Sequence, residues 1–194
     1  MLINLILILL ILLALFVVTW QTSNLVSVFF GCPYVSAGKE VIAKALQLAK
    51  IKKGDIFYDL GCGKGEVLVL AAGLGAKATG FEISPYYYLW SKSRAFFRRI
   101  WLKSVNKIRS SGKSGQILVR FKNIKSVDFS RADIVYCYLL PEFLEKLSPK
   151  LRSELKKGAR VISISFQITG LKLVRKAKVK DKTIYIYSAS SRAA

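Results

Sequence analysis

Tyr58-Asp59-Leu60-Gly61-Cys62-Gly63-Lys64-Gly65-Glu66 is the stretch that decides the fold of this 194-residue chain. It reads as the end of a short buried strand, a glycine turn and the first turn of a helix. Glycines at alternate positions remove side chains from one side of the bend. A ligand can then approach the backbone and the N–H groups at the helix N-terminus. The stretch is a cradle for a small molecule.

The segments on either side alternate between strand and helix. Ser36 is expected to cap a helix running to about Lys50, in which Val41, Ile42, Ala45, Leu46, Leu48 and Ala49 follow the spacing of a half-buried face. Ile56 to Leu60 is almost wholly apolar, as in a parallel strand covered on both faces. A helix from Val67 to Leu74 follows the glycine turn, and a second strand, Ala78 to Glu82, ends in an acid. Ser84-Pro85 opens a long helix reaching about Lys107. It is both aromatic and basic, with Tyr86, Tyr87, Tyr88, Trp90, Phe96, Phe97 and Trp101 among Arg94, Arg98, Arg99, Lys103 and Lys107. After a loop from Ser110 to Gly115, strands are expected at Ile117 to Phe121 and Ala132 to Leu140. A helix from Pro141, interrupted near Pro149, resumes to Lys156, and a strand covers Arg160 to Gln167. Leu171 to Val179 and Thr183 to Tyr187 read as a hairpin turned at Lys180-Asp181-Lys182. The alternation predicts a doubly wound α/β sheet that ends in an antiparallel hairpin.

Charge is divided unevenly along the chain. Residues 1 to 38 carry none, so all 32 basic and 11 acidic side chains, and the net charge of +21, belong to residues 39 to 194. An anionic partner follows, either lipid or nucleic acid. Residues 2 to 18 are apolar except Asn4, and Trp20 fits a membrane interface. The run is just long enough to cross a bilayer. No Lys or Arg precedes it and Val18-Thr19-Trp20 lacks the small residues of a cleavage site, so an uncleaved anchor is preferred to a signal peptide. The expected organisation is an anchor over residues 1 to 20, a connector over 21 to 37 and a globular domain over 38 to 194. Basic residues after the span put that domain on the cytoplasmic side, or the matrix side in an organelle. With three cysteines, no CxxC and no histidine, neither a disulfide framework nor a typical metal site is expected.

The spacing around the glycines narrows the ligand. A dinucleotide turn needs a third glycine where Glu66 stands, and a P-loop needs a Gly-Lys-Ser/Thr end that is absent. Asp59-x-Gly61-x-Gly63-x-Gly65, with the acid Glu82 at the end of the next strand, resembles motif I of the class I S-adenosylmethionine-dependent methyltransferases over residues 33 to 187. The resemblance implies a Rossmann-like, mostly parallel seven-stranded sheet and S-adenosyl-L-methionine as cofactor. It implies that Asp59 meets the amino end of the methionine moiety, that Gly61, Gly63 and Gly65 face the cofactor, that Glu82 takes the ribose hydroxyls, and that Asn123 contacts the adenine edge. Read without it, Asp59 could cap the following turn, Glu82 could be an ordinary strand-end acid and Asn123 a turn residue. Tyr34 could close over the cofactor or pack as core.

Four stretches together give a narrower likeness: the apolar N-terminal run, Pro33-Tyr34-Val35, Tyr138-Leu139-Leu140-Pro141-Glu142 and Gly158-Ala159-Arg160-Val161-Ile162-Ser163. They resemble the membrane-bound lysine methyltransferases of the ATP synthase c subunit and the adenine nucleotide translocase, which implies lysine N-methylation close to a membrane. The chain departs from that family at Lys64, where an acid often follows the second glycine, and in its basic insertion around residues 98 to 115. The acceptor is expected near Tyr138, Pro141 and Glu142, with Tyr138 orienting an amine and Glu142 desolvating or deprotonating it, unless Pro141 and Glu142 are simply a helix start. The basic residues of the long helix and of the hairpin (Lys172, Arg175, Lys176, Lys178, Lys180) are read as a lipid-facing surface, with RNA as the alternative.

Overall fold

A computed structural model describes residues 1–29, 35–106 and 115–189. Tyr34, Cys32, Pro33, Lys107 and, of the loop expected from Ser110 to Gly115, residues 110–114 therefore lie outside the described residues, as do the side chains of Arg99, Trp101 and Lys103.

Seven strands form one sheet. They are β1 (Ile56–Leu60), β2 (Lys77–Glu82), β3 (Ile117–Phe121), β4 (Ile134–Cys137), β5 (Arg160–Ile164), β6 (Lys172–Val179) and β7 (Lys182–Ser188). Their spatial order is β3-β2-β1-β4-β5-β7-β6. β1 to β5 run parallel, and β7 slots antiparallel between β5 and β6. The expected mostly parallel seven-stranded sheet with its terminal hairpin is thus the fold observed.

Apolar residues on both faces explain the covering helices. On one face α2 (Lys39–Leu48) and α3 (Glu66–Gly73) bury Val41, Ile42, Ala45, Leu46, Val67, Leu68, Ala71 and Ala72 against Phe57, Ile134, Ile162 and Ile184. On the other, α5 (Pro141–Glu154) buries Leu144, Leu147 and Leu151 against Val135, Val161 and Tyr187. The long helix α4 (Pro85–Asn106) packs Tyr88 and Ala95 beside α3 and lies against β3 at one edge of the sheet.

Several elements differ from the sequence expectation for local reasons. Helix α5 runs unbroken through Pro149, because the buried stripe Leu144, Leu147, Ser148 and Leu151 holds it to the sheet on both sides of that residue. Gly38, not Ser36, precedes α2, and the Ser36 hydroxyl instead donates to Glu66 Oε2 at 3.0 Å. β5 stops at Ile164 because Ser165 has φ +66° and its N–H turns to Thr183 O at 2.7 Å. The apolar helix α1 (Leu2–Phe29) continues past Trp20, so the first part of the expected connector is helical. The basic residues also fall in two places: Arg94 and Arg98 are on α4, beside β3, whereas Lys172, Arg175, Lys176 and Lys178 are on β6 at the opposite edge. Six strand spacings of about 4.8 Å separate them by roughly 29 Å. They form two patches where one surface had been expected.

Candidate functional site

Side chains and backbone from β1 to β4 meet beyond the carboxyl ends of those strands, where the strand order reverses between β1 and β4. That crevice is where open α/β sheets bind ligands. It encloses about 940 Å³ of empty space, part of it open to solvent.

Asp59 forms the floor. It is 2% exposed, and its Oδ2 is buried without a hydrogen-bond partner. Burial, and secondarily the charge of Glu82, holds its carboxyl well above the usual carboxylate range. An unpaired acid in that position favours a cationic ligand group, which would restore the charged form.

The glycine turn is stapled to the end of β2. Gly61 and Cys62 donate their N–H groups to Phe81 O at 2.9 and 3.1 Å, and Gly63 N–H donates to Glu82 Oε2 at 2.8 Å. Glycine at position 80 makes this possible, since a Cβ there would stand 2.6 Å from Cys62 Sγ and from Leu68 Cδ1. Gly61 and Gly63 line the cleft with φ of +72° and +50°, which suit glycine. Gly65 is not in the cleft wall. A Cβ on it would come 3.1 Å from Ser91 Cβ, so it serves the close approach of α3 to α4.

Glu82 does more than end its strand. Its Oε1 accepts from Ile83 N and Ser84 N, each at 2.9 Å, and its Oε2 accepts from Gly63 N. Burial raises its pKa and these three donors oppose the rise. A carboxylate oxygen has about two acceptor directions, so Oε1 is saturated and Oε2 keeps one toward a ligand.

Asn123 and Tyr138 also line the cleft. Asn123 at the same time accepts from Lys125 N at 3.0 Å and caps the short 3-10 turn Ile124–Ser126, so the turn role and the wall position coexist. Pro141 and Glu142 are exposed in the first turn of α5 and do not belong to the wall; their neighbour Phe143 does. Proline at the first helical position and an acid in the first turn suit any helix start.

Sequence reasoning did not single out Tyr136, whose hydroxyl is buried without a partner and which pairs in register with Asp59. Burial, and secondarily the Asp59 charge, pushes its phenol pKa well up. Its signal was the two-residue alternation with Tyr138, which puts both rings on one face of the sheet. Lys64, Ile83, Tyr87 and Lys122 complete the rim.

Residues 59–175 match the family model described as the ANTKMT methyltransferase domain, which is more than half of the chain. The chain belongs to this methyltransferase family. A protein-lysine N-methyltransferase of Saccharolobus islandicus is 35% identical over 161 residues, covering 80% of this chain and 92% of the relative. The lysine N-methyltransferase of the ATP synthase c subunit from Xenopus laevis is 30% identical, covering 69% of this chain but 53% of that protein, so the chain spans about half of the vertebrate relative. Among solved structures, an RNA methyltransferase from Salinibacter ruber in complex with S-adenosyl-L-homocysteine superposes with a TM-score of 0.70 at 26% identity, covering 82% of this chain and 97% of that one.

The family uses S-adenosyl-L-methionine, and the chain is an S-adenosylmethionine-dependent methyltransferase. The residues present suit that cofactor. The orphaned Asp59 oxygen can take a cationic amino group, the bare backbone at Gly61 leaves room beside it, and the remaining acceptor of Glu82 can take a hydroxyl.

Proposed function

We propose that this enzyme methylates lysine side chains of a membrane-associated protein, working from a cleft held beside the bilayer by an N-terminal span. One observation carries the membrane part of the reading. Tyr86 N–H donates to Ser23 Oγ of α1 at 3.1 Å and the Tyr86 ring meets Phe16 edge-on at 6.4 Å, while the next residue, Tyr87, lines the cleft. The rim of the site and the apolar helix are thus one residue apart.

Leu2–Ser23 is long and apolar enough to cross a membrane, with none of its apolar 18-residue window buried in the protein. At about 1.5 Å per residue it reaches roughly 33 Å, the thickness of a hydrocarbon core. The basic residues after it set the globular part on the cytoplasmic or matrix side. The names of the relatives, a protein-lysine methyltransferase and one acting on the c subunit of ATP synthase, support a lysine acceptor.

When bound, S-adenosylmethionine supplies an electrophilic methyl group for in-line displacement by a neutral nucleophile. Asp59 would hold the cofactor's amino end, and Gly61 and Gly63 would leave its approach clear. Glu82 would receive a ribose hydroxyl on Oε2, and Asn123 would meet the adenine edge. A protonated amine has no lone pair to offer, so the acceptor must be neutral when it meets the methyl group. The apolar wall of Leu139, Phe143 and Ile83 disfavours the ammonium form by desolvation, and Tyr138 orients the nitrogen. The exposed carboxylate of Glu142 at the head of α5 draws the acceptor's ammonium toward the mouth, where it gives its proton to solvent before the neutral amine enters the cleft.

The test is transfer of a labelled methyl group from S-adenosylmethionine, with the full chain in native membranes. Label in lysine of a membrane protein is the expected result. Label confined to RNA or to extracted lipid overturns the acceptor while leaving the cofactor site standing.

A further inference from the structure

The outer face of α4 contradicts its position on a globular domain. A surface helix normally turns polar residues outward. On α4 the inward stripe is Tyr88, Ser91 and Ala95, which pack on the core or are buried. At about 100° per residue the opposite stripe is Tyr86, Leu89, Trp90, Ser93, Phe96 and Phe97, apolar or aromatic in all but one position. Leu89 is 60% exposed, Trp90 43%, Phe96 59% and Phe97 67%. The flanks are cationic, with Lys92 on one side and Arg94 and Arg98 on the other. Trp90, Phe97, Ser93, Arg94 and Arg98 share a shallow groove with Val69.

We propose that this face of α4 is inserted into the anionic leaflet that α1 enters, as a second membrane contact with Leu89, Trp90, Phe96 and Phe97 below the headgroups. The inference rests on the reading of Leu2–Ser23 as a span, and two observations select lipid over other occupants. The first is continuity. The first turn of α4 touches α1 between Phe16 and Ser23, the last ~10 Å of the span at about 1.5 Å per residue, so the stripe begins at interfacial depth. Tyr86, Trp90 and Trp20 are there the residue types that prefer this level. The second is charge. An apolar stripe bordered by Lys and Arg is the pattern of a helix lying in an anionic interface, where the rings enter the acyl boundary and the cations meet phosphate. The other basic patch, on β6, has no apolar run of this length and no packing on α1 comparable to that of α4 among the described residues.

Spin-label depth measurement on the full chain in phosphatidylcholine and phosphatidylglycerol vesicles tests this. Cys62 and Cys137 are buried, so Cys32→Ser leaves an introduced thiol as the reactive one. Labels are placed by Leu89→Cys and Phe97→Cys on α4, by Leu10→Cys in α1 and by Lys146→Cys on the exposed side of α5. The α4 labels are expected to collide several-fold more often with dissolved oxygen than with a water-soluble nickel chelate, and the Lys146→Cys label to show the reverse. If the Leu10→Cys label lies in lipid while the α4 labels read water, the inference is overturned and the span stands. If the Leu10→Cys label reads water, the span reading fails and the inference, which rests on it, is overturned with it. Dipolar broadening between α4 labels of neighbouring molecules would assign the stripe to a second copy and overturn the lipid assignment.

Discussion

The floor of the cleft and the outer face of α4 depart from the ordinary rules of a globular domain in opposite directions. Asp59 is a buried acid with an oxygen left unpaired, and Leu89, Trp90, Phe96 and Phe97 are large apolar groups left outside. Each departure costs stability unless something absent from the chain completes it. The unpaired Asp59 oxygen calls for a cationic group, the outer face of α4 calls for an apolar medium, and Tyr86-Tyr87 joins the two regions across one peptide bond. Local rules fail where a protein has work to do, and the sign of each failure names the chemistry of the missing partner.

The sharpest way to break this comparison is Asp59→Asn. The neutral amide keeps the shape and loses the charge, so cofactor affinity should fall by about 100-fold, the scale of a desolvated charge-assisted contact. Stability without cofactor should move the other way. The folded pKa of Asp59 lies above its unfolded value, so between the two the native state holds a proton that the unfolded chain has lost. Stability therefore declines as pH rises through that window, and the loss is complete above the folded pKa. Asp59→Asn should melt higher than the parent at pH 8, with the gap closing as pH falls toward about 4, the unfolded carboxylate value. Calorimetric titration and melting across that range read both effects; equal affinity in the two proteins would remove Asp59 from the site.

Glu82→Gln probes the wall between the two regions, since Glu82 holds both the glycine turn and the start of α4. An amide has one accepting oxygen, so it cannot satisfy Gly63 on one side and Ile83 with Ser84 on the other. A loss of about 1 to 3 kcal/mol in stability is expected, because one buried N–H is left facing an N–H₂ group. Cofactor affinity should drop by about tenfold, the scale of one lost hydrogen bond. If affinity falls while the melting temperature is unchanged, Glu82 contacts the ligand without bracing the turn.

Much of the sheet and the centre of the cleft could be read in advance because their signals are local. Asp59 and Glu82 sit at strand ends and Gly61 and Gly63 in the turn between strand and helix, all marked clearly by composition, and Ile117–Phe121 is a strand over the very residues expected. What escaped depends on distant partners. Pro149 stays helical because the sheet holds the residues around it, and Ser36 is diverted by Glu66. The basic residues of α4 and β6 separate because the strand order puts β3, with α4 beside it, at one edge and the terminal hairpin at the other. The outward direction of the α4 aromatics could not be known until Tyr88, Ser91 and Ala95 were seen facing in. Gly65 carries the same letter as its neighbours in the motif, but its constraint is Ser91, met only when α4 folds back.

The smallest expected effect is the finest test of the cleft. Tyr136→Phe deletes one hydroxyl that is buried without a partner and lies in register with Asp59. Removing a polar atom that has no hydrogen bond to lose should leave the cofactor-free protein as stable as the parent, or more stable by about 1 kcal/mol, the lower end of the cost of burying such a group. If the hydroxyl is instead kept for the ligand, affinity for S-adenosylmethionine should weaken about fivefold, the lower scale of a single neutral hydrogen bond. Together, a protein at least as stable and a weaker complex would mark Tyr136 as a second unsatisfied group held ready beside Asp59. A lowered melting temperature with unchanged affinity would make the ring and its hydroxyl part of the core alone, and the cleft's departure from packing rules would then rest on Asp59.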